Sequence, residues 1–104
     1  MGTTVIGPSL VIDGEVSADE DLVVEGTLRG TLQLSRSLVV EPSGVVEADV
    51  EADSAVISGQ VKGKVVARQK VELRANARLI GDIKAARVVI AEGATFRGTI
   101  EMGA

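Results

Sequence analysis

One apolar pattern recurs through this chain at intervals of 16 or 17 residues, and that interval decides most of what the chain can become. Val24, Val40, Ile57, Leu73 and Ile90 fall in register, at spacings of 16, 17, 16 and 17. Two residues before each stands Leu22, Leu38, Ala55, Val71 or Val88. After a short break the next apolar positions are Leu28, Val46, Val61, Leu79 and Phe96. Two residues on come Gly30, Ala48, Gly63, Gly81 and Gly98, and two further Leu32, Val50, Val65, Ile83 and Ile100. Leu34, Ala52, Ala67, Ala85 and Met102 close the unit. The residues between these columns are mostly polar or charged. Alternation with period two marks strands with one buried face.

A unit of 16–17 residues is too short for a strand plus a packed helix. It suits one coil of a parallel β-helix, all-β and triangular in section, in which three short strands are joined by corners. Successive coils then lie about 4.8 Å apart, the ordinary spacing of paired strands. No coil buries its apolar residues alone, and stacking supplies the core. The Gly30/Ala48/Gly63/Gly81/Gly98 column is expected to point inward, where a narrow tube lacks room for large side chains. The corners have two lengths: four residues from Val24 to Leu28 and from Ile57 to Val61, six from Val40 to Val46, Leu73 to Leu79 and Ile90 to Phe96. They carry Glu25-Gly26, Ser58-Gly59, Pro42-Ser43-Gly44, Ala75-Asn76 and Glu92-Gly93, and Gly and Asn accept positive φ at little cost. No Walker or dinucleotide pattern accompanies these glycines.

Composition removes several function classes. The 104 residues contain no cysteine and no histidine, which excludes thiol chemistry and the usual zinc ligands. No catalytic, metal or cofactor site is expected, and no small-molecule substrate. Phe96 is the only aromatic residue, so base stacking lacks its usual means and nucleic acid is a disfavoured partner. Neither a membrane-length apolar run nor a signal peptide is visible, and a cytoplasmic setting is the default expectation. The net charge of −4 conceals an axial asymmetry. Residues 1–53 hold eleven acidic and two basic residues, whereas residues 54–104 hold four acidic and nine basic. In a β-helix, sequence position is height, so the rod is expected to be acidic at its start and basic at its end.

In chain order, residues 1–9 read as a short lead-in in which Val5 and Ile6 add an edge strand or pack over the first coil. Residues 10–102 form a single domain, and 103–104 are the C-terminal end. Leu10–Val16, LVIDGEV, reads as a short first coil. Asp19, Glu20 and Asp21 form an acidic corner that lacks the framework of a calcium loop and is expected to be solvated. The outward centres of the triplets, Val11, Val23, Val39, Val56 and Val89 with Glu72 between them, make a stripe. β-Branched residues suit exposed strands for propensity alone. The same stripe also offers a flat apolar strip to a neighbouring rod or a membrane.

The stretches LVIDGEVSADEDLVVEGTLRGTL, AVISGQVKGKVVA and VVIAEGATFRGTI resemble the bactofilins over roughly residues 8–100. The resemblance implies a right-handed parallel β-helix of about six coils. It implies a bacterial cytoskeletal protein that polymerises end to end, without nucleotide, into non-polar filaments. Such filaments scaffold cell-shape, wall-synthesis or chromosome-organising machinery, and some attach to the inner face of the membrane. Flexible flanks, usual in the family, are nearly missing from this sequence. Carried onto it, the polymer interface comprises Leu10, Ile12 and Val16 in the first coil and Phe96, Gly98 and Ile100 in the last.

Competing readings fare worse. Hexapeptide-repeat enzymes show an aliphatic residue at every sixth position and rely on histidine. An ice-binding solenoid needs a threonine ladder, and Thr27, Thr31, Thr95 and Thr99 occupy only two coils. A β-solenoid adaptor that binds protein partners laterally is the alternative function. The partners expected are therefore the chain itself, with cytoplasmic clients or a membrane face beside it. The charge halves favour head-to-tail contact, whereas the resemblance implies like ends meeting. Short-range burial decides the joint, which leaves the charge halves to act between side-by-side rods. Phe96 reads either as an ordinary core residue that fills the widening end of the tube or as a joint residue, fully buried only when a second subunit stacks on the terminal coil.

Overall fold

The computed structural model describes residues 3–102, so the C-terminal pair 103–104 and Met1-Gly2 of the lead-in lie outside the described residues. Ten strands follow one another without a helix among the described residues: β1 Thr3–Ile6, β2 Val11–Ala18, β3 Asp21–Val24, β4 Thr27–Leu34, β5 Ser37–Val40, β6 Val45–Ile57, β7 Gln60–Leu73, β8 Arg78–Ala85, β9 Arg87–Ile90 and β10 Thr95–Met102. Every pairing is parallel. The result is a β-solenoid of six turns, 30 Å in its longest extent.

Each turn is a triplet strand followed by a longer strand. Turn one is β1–β2 and turn two is β3–β4. Turn three is β5 with the start of β6, and turn four is the end of β6 with the start of β7. Turn five is the rest of β7 with β8, and turn six is β9–β10. The register follows the sequence columns: Leu28 pairs with Val46, Val46 with Val61, Val61 with Leu79 and Leu79 with Phe96. Inside lie Val24, Leu28, Leu32, Leu38, Val40, Val46, Ile57, Val65, Leu73 and Leu79, all fully buried. No polar or charged side chain is buried among the described residues. A fully buried aliphatic side chain contributes roughly 1.5–3 kcal/mol, and here it does so only because coils lie on both sides.

The first turn begins earlier than Leu10. β1 pairs with β3 through Thr4–Leu22, Val5–Val23 and Ile6–Val24, so the lead-in contributes the edge strand, and Ile6 is buried. Leu10 lies in the following corner, where its N–H donates to the Gly7 carbonyl at 3.1 Å. Equivalent turns close the other long corners, with the N–H groups of Gly44, Ala77 and Ala94 donating to the carbonyls of Glu41, Arg74 and Ala91. Asn76 (φ 70°) and Gly93 (φ 93°) take the third position of two of these turns with positive φ, which Asn and Gly accept at little cost, whereas Ser9 and Ser43 hold the same place without it.

The narrow inward column is not the one expected from the sequence. Gly14, Gly30, Gly63, Gly81 and Gly98 have φ between 114° and 138° and sit at a corner of the triangle, dividing each long strand into two arms. Gly30 and Gly98 are exposed. Here glycine is required by close backbone stacking. A Cβ on Gly81 would strike the Gly63 carbonyl oxygen, and one on Gly98 the Gly81 carbonyl oxygen. Ala48, the exception, keeps negative φ and is buried. The β6–β7 ladder accordingly skips from Glu47–Lys62 to Val50–Val65. A column of buried small residues stands instead at Gly26, Gly44, Gly59 and Ala77, which immediately precede β4, β6, β7 and β8.

Candidate assembly surfaces

The six turns of the described residues have two ends and three long faces. At the C-terminal end β9 pairs only with β7 and β10 only with β8, so the far backbone edge of turn six has no partner among the described residues. A parallel strand edge is a template for further pairing. Large inward residues lie against that edge: Ile90 is 44% exposed, Ile100 37% and Met102 65%. Phe96 is half-buried against the core. Gly98 lies at the exposed glycine corner of the same turn, with φ 134°. Of the residues expected at this end, Phe96 and Ile100 are thus brought together on the open edge. Ile90 and Met102 join them. Their sequence signal was membership of the same columns in the terminal repeat.

The N-terminal end is more closed. Ile6 is buried, and Ile12 and Val16 are half-buried. Leu10 is 51% exposed at the corner rather than in the inward columns. The lateral stripe also needs one correction. Val11 pairs with Thr27 and lies on the face of the long strands. The triplet centre of turn one is Val5, aligned with Val23. The stripe is therefore Val5, Val23, Val39, Val56, Glu72 and Val89. Val23, Val39 and Val56 are half-buried by their ladder neighbours, while Val5 and Val89 at the two ends are exposed. Sequence spacing misleads here because the six-residue corner between Ile6 and Ile12 has the look of a lead-in.

Charges line the outside in ladders. Arg29 Nε lies 3.6 Å from Glu47 Oε2, Arg68 Nε 3.7 Å from Asp53 Oδ1, and Arg74 Nε 3.4 Å from Glu72 Oε2. These exposed pairs are worth little individually, about 0–1 kcal/mol. The acidic corner is tied to its neighbour: Ser35 Oγ donates to Asp19 Oδ1 at 3.3 Å, and the Ser37 N–H to Asp21 Oδ1 at 3.2 Å. No group of three acidic side chains is placed to hold a metal among the described residues, nor is any helix there long and apolar enough to cross a membrane. Apolar residues also stand at outward positions of the long strands, among them Val11, Val45, Val66 and Ile80. Ile80 is 46% exposed and lies between hollows bordered by Lys62, Arg78 and Arg97. The signal was present in the sequence as an apolar residue directly after the inward Leu79.

Comparison with known proteins agrees with this geometry. Residues 4–101 match the family described as bactofilin, polymer-forming cytoskeletal. The chain is 56% identical to the bactofilin BacO of Myxococcus xanthus over 98% of its own length and 81% of BacO. It is 52% identical to BacP of the same organism over 96% of its length, spanning 42% of that longer relative. Among solved structures, the cryo-EM reconstruction of Thermus thermophilus bactofilin double helical filaments superposes with a TM-score of 0.91 at 36% identity, over 96% of this chain and 99% of that one. A crystal structure of a phenylalanine-to-arginine mutant of the same bactofilin gives 0.78 at 35% identity, over 85% and 97%.

Proposed function

Since the chain belongs to the bactofilin family, whose members are structural cytoskeletal proteins, we propose that it is a filament subunit that assembles end to end without nucleotide. The observation that carries this reading is the open sixth turn. It has the strand geometry and column order of the inner turns, yet Ile90, Ile100 and Met102 lie exposed on it. A second solenoid on that edge would pair the free backbone groups and bury these side chains together. An apolar surface can meet a copy of itself without opposing like charges, which suits an isologous joint between like ends and hence a filament without polarity. The first turn, with Leu10, Ile12 and Val16, forms the opposite joint.

The double helical filaments of the Thermus relative support a further element, the pairing of two such filaments side by side. The valine stripe on the triplet face is a strip for protein clients or the inner face of a membrane. In this reading the filament scaffolds cell-shape, wall-synthesis or chromosome-organising machinery, and a lateral adaptor role belongs to the same stripe.

Phe96→Arg tests the joint. Removing a large apolar contact costs roughly 1.5–3 kcal/mol, and the charge opposes desolvation. The variant is expected to keep a β-rich circular dichroism spectrum and to elute as monomers or short oligomers by size exclusion with light scattering. The unchanged chain should form long filaments in nucleotide-free buffer by electron microscopy. Long filaments from folded Phe96→Arg protein would overturn the joint.

A further inference from the structure

The arm of each long strand that precedes the glycine corner carries two outward ladders: the one beside the corner reads Asp13, Arg29, Glu47, Lys62, Ile80, Arg97, and the other, which starts at Val11, holds a single charge, Arg78. Arg29 and Glu47 neutralise each other at 3.6 Å. What remains is unequal along the axis. The acidic end presents Asp13 beside exposed Val11, and the basic end presents exposed Ile80 between Lys62 and Arg97. None of these three charged side chains has an ion-pair partner among the described residues.

We propose that this face docks the same face of a second copy running antiparallel, and that this contact pairs the filaments. The inference rests on the polymer reading above and names the surface that reading leaves open. Two arrangements bring identical faces together about a two-fold axis. With parallel rods, equal heights meet, so acid opposes acid and cation opposes cation. With antiparallel rods, turn one faces turn six, turn two faces turn five and turn three faces turn four. Asp13 then opposes the second copy's Arg97, and Glu47 opposes its Lys62. Ile80 lies against the aliphatic stem of Arg29, which keeps its head in water. Symmetry supplies each contact twice, with no like charges directly opposed. The face is only three residues wide, below the size of a stable isolated interface. Repetition along a filament compensates, because each added subunit contributes another contact without a new loss of freedom. The attraction lies between exposed charges, so salt weakens it.

The chain has no cysteine, which allows a clean crosslinking test on the unbroken 104-residue chain. Arg29→Cys with Ile80→Cys places two thiols three turns apart within one chain, roughly 14 Å at the usual strand spacing. Neither lies in an end turn, so end-on stacking does not bring them together. A bismaleimide shorter than that separation is expected to give covalent dimers from the double variant, to give none from either single variant, and to lose most of the product at high salt. Absence of dimers from the double variant overturns the proposal, as do dimers from the single variants, which would mean parallel rods. Electron microscopy of the same samples reports polymerisation separately, so failure of the polymer is distinguished from failure of the lateral contact. Lys62→Glu sets two carboxylates against each other and should convert paired filaments into single ones. Combining it with Glu47→Lys should restore the pairs. Paired filaments that persist in Lys62→Glu would overturn the assignment.

Discussion

Turn four and turn six share one build and differ first in what lies beside them. Both place a triplet strand and a long strand in parallel register, with a positive-φ glycine at the same corner. In turn four, Ala55, Ile57, Val61, Val65 and Ala67 are all buried. In turn six the same columns hold Val88, Ile90, Phe96, Ile100 and Met102, which are half-buried or exposed. Nothing in the strands themselves accounts for the difference. Turn four has a coil above and below, and turn six has one on a single side among the described residues. The terminal turn also carries the larger residue in four of the five columns, with Val, Phe, Ile and Met replacing Ala, Val, Val and Ala. In a solenoid, burial belongs to the stack, and a turn with a coil on one side alone leaves its inward residues uncovered.

A charge in the core separates the two turns most forcefully. Val61→Asp puts a carboxylate into a fully enclosed layer without a partner, where burial of even an uncharged polar group costs several kcal/mol. The variant should lose its cooperative thermal transition. The comparison breaks if Val61→Asp melts as a native protein, since the inner turns would then not be sealed.

The glycine corner should show the same contrast at smaller scale. Gly81 and Gly14 both have φ near 135°, at 138° and 132°. An added Cβ meets the Gly63 carbonyl oxygen at Gly81 and nothing within 4 Å at Gly14. Gly14→Ala bears only the conformational penalty, whereas Gly81→Ala adds a backbone collision. Such strained positions cost about 1–3 kcal/mol, and chemical denaturation should place Gly81→Ala well below Gly14→Ala. Equal losses would mean that φ alone makes the corner glycine.

The finest test removes one methylene from one column. Ile57 is fully buried and Ile90 is 44% exposed at the equivalent position. Ile57→Val should cost about 0.5–1.5 kcal/mol. Ile90→Val should cost about half as much or less in dilute, monomeric protein, in line with the area it keeps in contact. In assembled filaments the two should converge, as read by the temperature at which filaments and secondary structure are lost. Equal costs in the monomer would remove the distinction between inner and terminal turns.

The sequence alone determined the coil. Its period of 16–17 residues excluded a helix per repeat, and alternation set which residues face inward, so the register of Leu28, Val46, Val61, Leu79 and Phe96 is legible in the chain itself. Those signals are local, because period two follows from strand geometry. The tertiary structure decided what depends on a neighbouring coil. It placed Val5 rather than Val11 in the stripe, since a corner of six residues and a strand of six residues look alike until a partner strand fixes the register. It moved the narrow inward column from Gly30, Gly63, Gly81 and Gly98 to Gly26, Gly44, Gly59 and Ala77. A small residue required by a backbone stacked above it and one required by a crowded core leave the same letter in the sequence. It also exposed Ile80, Ile90 and Met102, because exposure is set by what covers a residue, and the cover lies a whole coil away along the chain.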